Sequence, residues 1–203
     1  PLFAGRMTFP PLRPGRIGAA LIAGAIVLHT VTLAMASSHL IYLGTYTRST
    51  SKGIYAVRLD DDTGALSAPT LAAETANPAW ITLSPDRKHL YAIHESAAQA
   101  VGFAVDAANA GLKALPAEKT AAANAPSHLA VDATGRVLLA ANYREGRAEI
   151  MPIRSDGTLG TPTIIQHSGT GPNKERQEKS HVHSATLSPD NRFAIFCDLG
   201  VDK

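Results

Sequence analysis

A segment of about fifty residues recurs along this sequence, and the recurrence constrains the fold more than any other feature. The segments 77–95, 125–143 and 180–199 align without gaps, and residues 39–46 align with the second half of each. Each longer segment contains a short apolar stretch, a tight turn with Asp or Pro, and a second apolar stretch. The second stretch is apolar on both of its faces, which predicts a strand that is buried on both sides.

Two further strand-and-turn pieces lie between successive segments. Turns containing Asp and Gly are found at 60–64, 106–111 and 154–157, and each leads to a leucine that begins another strand (Leu66, Leu112 and Leu159). Four strands per repeat is typical of a β-propeller blade, whereas a sandwich or a solenoid does not require that count. The sequence therefore predicts an all-β fold, a β-propeller.

The number of repeats is small for a closed ring. Residues 37–203 hold about three and a half blades, whereas propellers typically close with four to eight. An open ring would leave a long unpaired strand edge. We therefore expect residues 37–203 to be the N-terminal blades of a longer propeller.

The first 36 residues have a different character from the repeats. Arg13 and Arg16 precede an apolar stretch at 17–33, and small residues then occupy the −3 and −1 positions of a cut after Ala36. A basic region, an apolar region and a small-residue cleavage site together predict a secretory signal peptide, with Met7 as the expected start. The alternative is an uncleaved membrane anchor, although 17 residues are short for a span. Either reading predicts a periplasmic or secreted protein, and cleavage would leave no stable membrane span.

The charge pattern excludes one class of partner. Of the 19 Lys and Arg residues, Arg6, Arg13 and Arg16 precede Ser37, whereas none of the 17 Asp and Glu residues does. The remaining chain is nearly neutral and has no basic run, so we expect no binding to nucleic acid. The single cysteine, Cys197, lies in an apolar run and is expected to be a buried structural thiol.

Equivalent positions of propeller blades surround one axis, so the ends of the predicted buried strands should meet at one mouth of the central channel. In register, these ends are Gly44-Thr45, His94-Glu95, Asn142-Tyr143 and Asp198-Leu199. Trp80, His128 and Ser184 correspond in the same way at the starts of the preceding strands. A mouth that collects histidine, carboxylate and amide groups is a plausible small-molecule site.

Several phrases, in order, resemble one known family. They are IYLGTYT (41–47), SKGIYAVRLDDDTGAL (51–66), NPAWITLSPDRKHLYAIHE (77–95), APSHLAVD (125–132), LLAANYREG (138–146), HSGTGPNKERQEKSHVH (167–183) and SPDNRFAIFCDLGVDK (188–203). The set resembles the lactonase family of seven-bladed propellers, which includes 6-phosphogluconolactonases and carboxymuconate-lactonising enzymes. The family usually has Gly after Ser-Pro-Asp, whereas this chain has Arg87 and Asn191. Asn tolerates the left-handed backbone of such a turn better than Arg does.

The resemblance implies hydrolysis of a sugar lactone, which requires a base, donors for an oxyanion and a cation for an acidic substituent. By resemblance, His128 is the expected base or oxyanion donor. Arg176 lies in a Gly-containing polar loop and is the expected anion clamp, because its planar fork suits phosphate or carboxylate. Glu95 is the expected catalytic carboxylate.

Four further residues are predicted to contact substrate: Asn142, His181, His183 and Asp198. His181 and His183 alternate, so a regular strand would put them on one face. Such a pair is half of a metal site, but no third ligand follows at metal spacing, so we predict hydrogen-bonding histidines and no metal. No cofactor is expected.

The leading prediction is hydrolysis of an aldonolactone such as 6-phosphogluconolactone or gluconolactone, with the small-molecule lactone as the partner. A phosphorylated sugar is expected in the cytoplasm, so the predicted export makes an unphosphorylated lactone a serious alternative. Two other functions stay open. One is a cycloisomerase acting on a muconate, and the other is a non-catalytic extracytoplasmic propeller that binds a ligand.

Overall fold

The computed structural model describes residues 38–94, 99–116 and 126–203, and the secondary structure within these ranges consists of strands. The thirteen strands are β1 (Ser38–Gly44), β2 (Gly53–Asp60), β3 (Thr70–Glu74), β4 (Ile81–Leu83), β5 (His89–His94), β6 (Gln99–Val105), β7 (Leu112–Ala114), β8 (His128–Val131), β9 (Val137–Asn142), β10 (Arg147–Pro152), β11 (Thr163–Gln166), β12 (Val182–Leu187) and β13 (Ala194–Asp198). The prediction of an all-β fold is confirmed. The predicted signal region, 1–36, lies outside the described residues, as does Glu95.

The strands form four antiparallel sheets, which we call blades 1 to 4 in chain order. Blade 1 contains β1–β3, blade 2 contains β4–β7, blade 3 contains β8–β11, and blade 4 contains β12 and β13. Within each sheet the strands pair in sequence order, as short turns between antiparallel neighbours require. The first strand of blade 3, β8, packs between β4 of blade 2 and β12 of blade 4, so the first strands of the blades are neighbours.

The second strand of each complete blade carries the core. In β9, Leu138 and Ala140 pack towards Tyr91 of blade 2, while Leu139 and Ala141 pack towards Val182 of blade 4. Successive side chains of a strand point to opposite faces, so a strand between two blades must be apolar at every position. The predicted burial of this strand on both sides is confirmed.

The turn between the first two strands is built alike in three blades. Arg87, Gly135 and Asn191 occupy its equivalent position with φ of 59°, 70° and 58°. The backbone N–H of His89, which begins β5, donates to Ser84 Oγ in blade 2, and that of Phe193, directly before β13, donates to Ser188 Oγ in blade 4. In blade 3 the carboxylate of Asp132 accepts that bond. The structure thus repeats the register that the sequence repeats indicate.

The prediction for Cys197 was wrong, because its side chain is exposed. Strands β5 and β9 each pair with a strand on both edges, whereas β13 pairs only with β12 among the described residues. Phe193 and Ile195 are exposed along the same segment. Burial of an apolar strand depends on its neighbours as well as on its own sequence.

In the described ranges, no helix has the length and apolar character needed to cross a bilayer.

Candidate active site at the mouth of the channel

Strand pairing brings His128, Asn142 and Asp198 to one end of the blades. The start of β8 lies beside the end of β9, with His128 paired to Ala141, and Asn142 follows directly. In blade 4 the start of β12 lies in the same way beside the end of β13, with Val182 paired to Asp198. This end of blades 3 and 4, which we call the mouth, also carries the loop 167–181.

His128 is held between two neighbouring blades. Its ring lies against the indole of Trp80 in blade 2, with centroids 4.0 Å apart and planes inclined by 34°. The indole Nε1–H donates to the carbonyl of Leu129 at 2.9 Å. On the other side, the backbone N–H of Ala185 in blade 4 donates to Nδ1 of His128 at 3.4 Å.

These contacts determine which nitrogen of His128 is a donor. Nδ1 accepts a hydrogen bond, so the proton of the neutral ring is on Nε2. Burial lowers the pKa of the His128 imidazole, and the neighbouring His183 lowers it further. At neutral pH, His128 is therefore a neutral ring whose Nε2–H is a hydrogen-bond donor.

The ring of Tyr143 joins the two other predicted histidines. It stacks on His181 with centroids 4.3 Å apart and meets His183 edge-on at 5.7 Å. A bulge between Val182 and Ser184 makes His183 the extra residue of β12. The bulge breaks the regular alternation, so His181 is buried while His183 is exposed.

Both ring nitrogens of His181 are engaged. Nδ1 lies 3.1 Å from the carbonyl oxygen of Tyr143, and Nε2 lies 3.0 Å from Oε1 of Glu178. Both partners are acceptors, so His181 makes the two bonds together only when it carries both hydrogens. The backbone N–H of Glu178 and the His181 ring lower the pKa of the Glu178 carboxyl.

Asp198 is buried, and its carboxylate oxygens accept hydrogen bonds from groups of the protein. Its side chain has no exposed surface, and its oxygens accept bonds from Ser180 Oγ, the backbone N–H groups of His181 and Gly200, and the ring of His167. Burial raises the pKa of the Asp198 carboxyl, but the hydrogen bonds, chiefly those from Ser180, His181 and His167, outweigh it and leave the pKa below its ordinary value. The carboxylate ties both ends of the loop 167–181 to blade 4.

Arg176 lies in this loop with its side chain exposed. The next residue, Gln177, is buried, and its amide donates to the carbonyl of Leu199 and to Asp202. Its Oε1 accepts from the backbone N–H of Asn173. Gln177 therefore anchors the loop from inside while Arg176 points outward.

The side chain of Asn142 is buried beside an ion pair that the sequence analysis did not identify. Arg147 Nε donates to Glu149 Oε1 at 2.8 Å, and both side chains are nearly enclosed. Asn142 Nδ2 lies 3.5 Å from the same oxygen. In the described part of the chain, Nη2 of Arg147 is buried without a hydrogen-bond partner. The alternation of Arg147 and Glu149 along β10 was the available signal, since both face one side of the strand.

The opposite end of the blades carries an open groove of about 650 Å³, lined in part by Asp86, His89, Thr134, Arg136 and Arg154. Oδ1 of Asp86 and the hydroxyl group of Thr134 are engaged in hydrogen bonds within their turns. The predicted site residues that the structure describes do not line this groove.

Comparison with known proteins agrees with the propeller fold. Residues 40–203 match the family described as Lactonase, 7-bladed beta-propeller. A 6-phosphogluconolactonase of Bacillus subtilis is 36% identical over 165 residues, which cover 80% of this chain and 47% of that protein. This chain thus spans about half the length of the curated relatives it matches.

Solved structures agree as well. The periplasmic gluconolactonase of Pseudomonas aeruginosa superposes with a TM-score of 0.70 at 28% identity, covering 82% of this chain and 49% of that one. A protein from Lactobacillus plantarum superposes with a TM-score of 0.73 at 36% identity, covering 82% and 48%. The chain belongs to the seven-bladed β-propeller lactonase family.

Proposed function

We propose that the whole protein hydrolyses a sugar lactone at the mouth. The observation that carries this proposal is the neutral, half-buried His128, whose donor nitrogen is defined by its contacts with two blades. The aromatic and histidine rings of Tyr143 and His183 lie at the same mouth. Family membership and the names of the Bacillus and Pseudomonas relatives support the same reaction.

In the proposed reaction, water adds to the lactone carbonyl carbon and the ring carbon–oxygen bond breaks. One proton of the water passes through a base to the departing ring oxygen, which becomes a hydroxyl group, and the carbonyl becomes the acid. A neutral His128 with Nδ1 already engaged serves best as a donor, either to the oxyanion or to the departing oxygen. Glu95, which lies outside the described residues, stays our candidate for the base.

Arg176 is our candidate for binding an acidic substituent of the substrate. The loop that carries it is anchored by Gln177 and by Asp198, so an exposed guanidinium is displayed from a fixed backbone. A planar guanidinium binds phosphate or carboxylate with two parallel hydrogen bonds. A lactone without a phosphate or carboxylate group would gain less binding free energy from this arginine.

The structure changes the part we propose for three of the predicted contact residues. Asp198 and Asn142 are buried, and the Asp198 oxygens are filled by protein donors, so we propose that both support the mouth. His181 is also buried with both nitrogens engaged, and we propose the same for it. His183 is exposed and remains a proposed substrate contact.

We also propose export to the periplasm or beyond. The predicted signal peptide at 1–36 supports this location, and so does the similarity to a periplasmic gluconolactonase. A periplasmic location favours an unphosphorylated lactone, whereas Arg176 favours an anionic one. Uronic or phosphorylated lactones would use that arginine.

The test is hydrolysis of gluconolactone and 6-phosphogluconolactone by the full-length protein, with His128→Ala and His39→Ala compared. His39 is largely exposed at the start of β1, at the opposite end of the blades, and so provides a matched control. We expect His128→Ala to lower kcat by at least ~100-fold and His39→Ala to have no effect. A folded protein that hydrolyses neither lactone above the uncatalysed rate would contradict the proposal and favour a cycloisomerase or a binding protein.

A further inference from the structure

We propose that Trp80 is a positioning residue for His128: the indole of blade 2 holds the imidazole of blade 3 in the orientation and tautomer that make Nε2–H a donor at the mouth. The catalytic consequence rests on the proposed function, whereas the positioning itself does not. Trp80 has the place in blade 2 that His128 has in blade 3, so two equivalent first-strand positions meet across a blade interface.

The indole is fixed to the strand that carries the histidine. Its Nε1–H donates to the carbonyl of Leu129, the residue that follows His128, while its ring covers the imidazole at 4.0 Å. The hydrogen bond sets where the indole lies, and the ring contact then limits rotation of the imidazole about its own side-chain bonds. Torsions between a tetrahedral carbon and a planar ring are broad, so a histidine without such a contact would be poorly oriented.

The contacts of the Trp80 indole in the described blades are made to β8 rather than to an apolar core. The residue is 41% exposed, and it belongs to none of the three apolar clusters formed by the described residues. A tryptophan retained for stability is usually deeply packed, because most of its value comes from buried area. Here both contacts that define the indole are made to β8.

Tautomer and orientation are linked through Ala185. Its N–H donates to Nδ1, which requires an unprotonated Nδ1 and directs Nε2–H to the opposite side of the ring. The indole and the Ala185 N–H thus hold the ring from blade 2 and from blade 4. Loss of the indole would admit water to the ring and free it to turn, so Nδ1 and Nε2 would share the proton.

The experiment uses the full-length protein with ¹⁵N-labelled histidine and compares Trp80→Leu, Trp80→Phe and Tyr46→Leu. Trp80→Leu removes the ring contact, and Trp80→Phe keeps a ring but loses the bond to Leu129. Tyr46→Leu is the matched control, because Tyr46 is an aromatic residue that is 60% exposed and makes a cation–π contact with Arg48. Two-bond proton–nitrogen spectra report which nitrogen of His128 carries the proton at each pH.

We expect His128 to be the Nε2–H tautomer in the wild type and in Tyr46→Leu. In Trp80→Leu we expect mixed tautomers, a higher pKa because the ring is less buried, and a kcat lowered ~10-fold with KM nearly unchanged. For Trp80→Phe we expect a kcat between those of the wild type and Trp80→Leu, within ~3-fold of the wild type. This result would show that the ring contact contributes more to positioning than the hydrogen bond to Leu129.

An unchanged His128 tautomer and pKa in folded Trp80→Leu would overturn the inference, and so would a mixed tautomer in the wild type. If the wild type hydrolyses no lactone, the proposed function fails, but the spectra still decide whether Trp80 positions His128. If activity is present and the spectra do not respond, only the positioning role fails.

Discussion

Arg147 donates from Nε to Oε1 of Glu149 at 2.8 Å, and this ion pair is nearly enclosed behind the mouth, with 11% and 4% of the two side chains exposed. The pair lies beside Asn142 on the side of blade 3 that faces blade 2. A buried ion pair adds little to stability compared with apolar residues of the same size. Removing one partner, however, leaves the other charge buried without compensation.

Removing one partner of the pair should therefore lower the free energy of unfolding more than removing both partners. We expect Glu149→Ala to lower the free energy of unfolding by about 3–5 kcal/mol, because the Arg147 guanidinium would remain buried without its carboxylate. The double variant Arg147→Met with Glu149→Leu should recover most of that loss. Denaturant unfolding of the full-length protein measures both, and equal losses in the two variants would contradict the assignment.

Asp198 should make the acid stability of the protein depend on one buried carboxylate. Its pKa is below its ordinary value in the folded state, so the folded state binds the proton less readily than the unfolded chain does. The stabilisation is complete above the ordinary pKa of about 4 and is lost as pH falls towards the lowered folded value.

Asp198→Asn tests this. The asparagine amide would present hydrogens to Ser180 and His167, which already donate, so we expect a loss of about 2–3 kcal/mol at pH 7. The difference in stability between the wild type and the variant should shrink as pH falls below about 4, because protonation of Asp198 then removes the stabilisation from its carboxylate in the wild type. Asp62→Asn is the control, since the side chain of Asp62 is exposed in a turn. A loss for Asp198→Asn that does not change with pH would show that the carboxylate charge is not responsible.

Much of the fold could be predicted because it is repeated. The register of three segments identifies β9 as a strand buried on both faces, and it places Arg87, Gly135 and Asn191 at one turn position. Repetition supplies the evidence that a single segment lacks, because each blade must satisfy the same packing between two neighbours.

The details of the mouth could be predicted less well. The bulge at His183 depends on how β12 pairs with β13, and one extra residue separates the environments of His181 and His183. The contact between Trp80 and His128 crosses a blade interface, where sequence spacing carries no information about distance. Cys197 is exposed because β13 pairs only with β12 among the described strands, and its own sequence does not reveal that pairing.

Tyr143 should matter to activity through its ring rather than through its hydroxyl group. The ring stacks on His181 and meets His183 edge-on, so it holds one histidine inside the loop and limits the position of the exposed one. We expect Tyr143→Phe to keep kcat/KM within ~2-fold and Tyr143→Leu to lower it ~10-fold. Steady-state hydrolysis of the preferred lactone distinguishes the two, and equal effects would assign the role to the hydroxyl group instead.

Arg87 lies in a backbone conformation that suits glycine better. Its φ is 59°, close to the 70° of Gly135 at the equivalent turn position, and a left-handed conformation costs a residue with a Cβ about 1–2 kcal/mol. Glycine loses more conformational entropy on folding, by roughly 0.5–1 kcal/mol, so we expect Arg87→Gly to stabilise the protein by about 0.5–1 kcal/mol. The reciprocal change, Gly135→Ala, should destabilise it by about 1 kcal/mol, although its new Cβ would meet only Pro85 at an ordinary 3.4 Å.

Thermal unfolding of the two variants beside the wild type measures both effects. Shifts of the same sign would show that side-chain contacts, rather than backbone strain, decide stability at this turn.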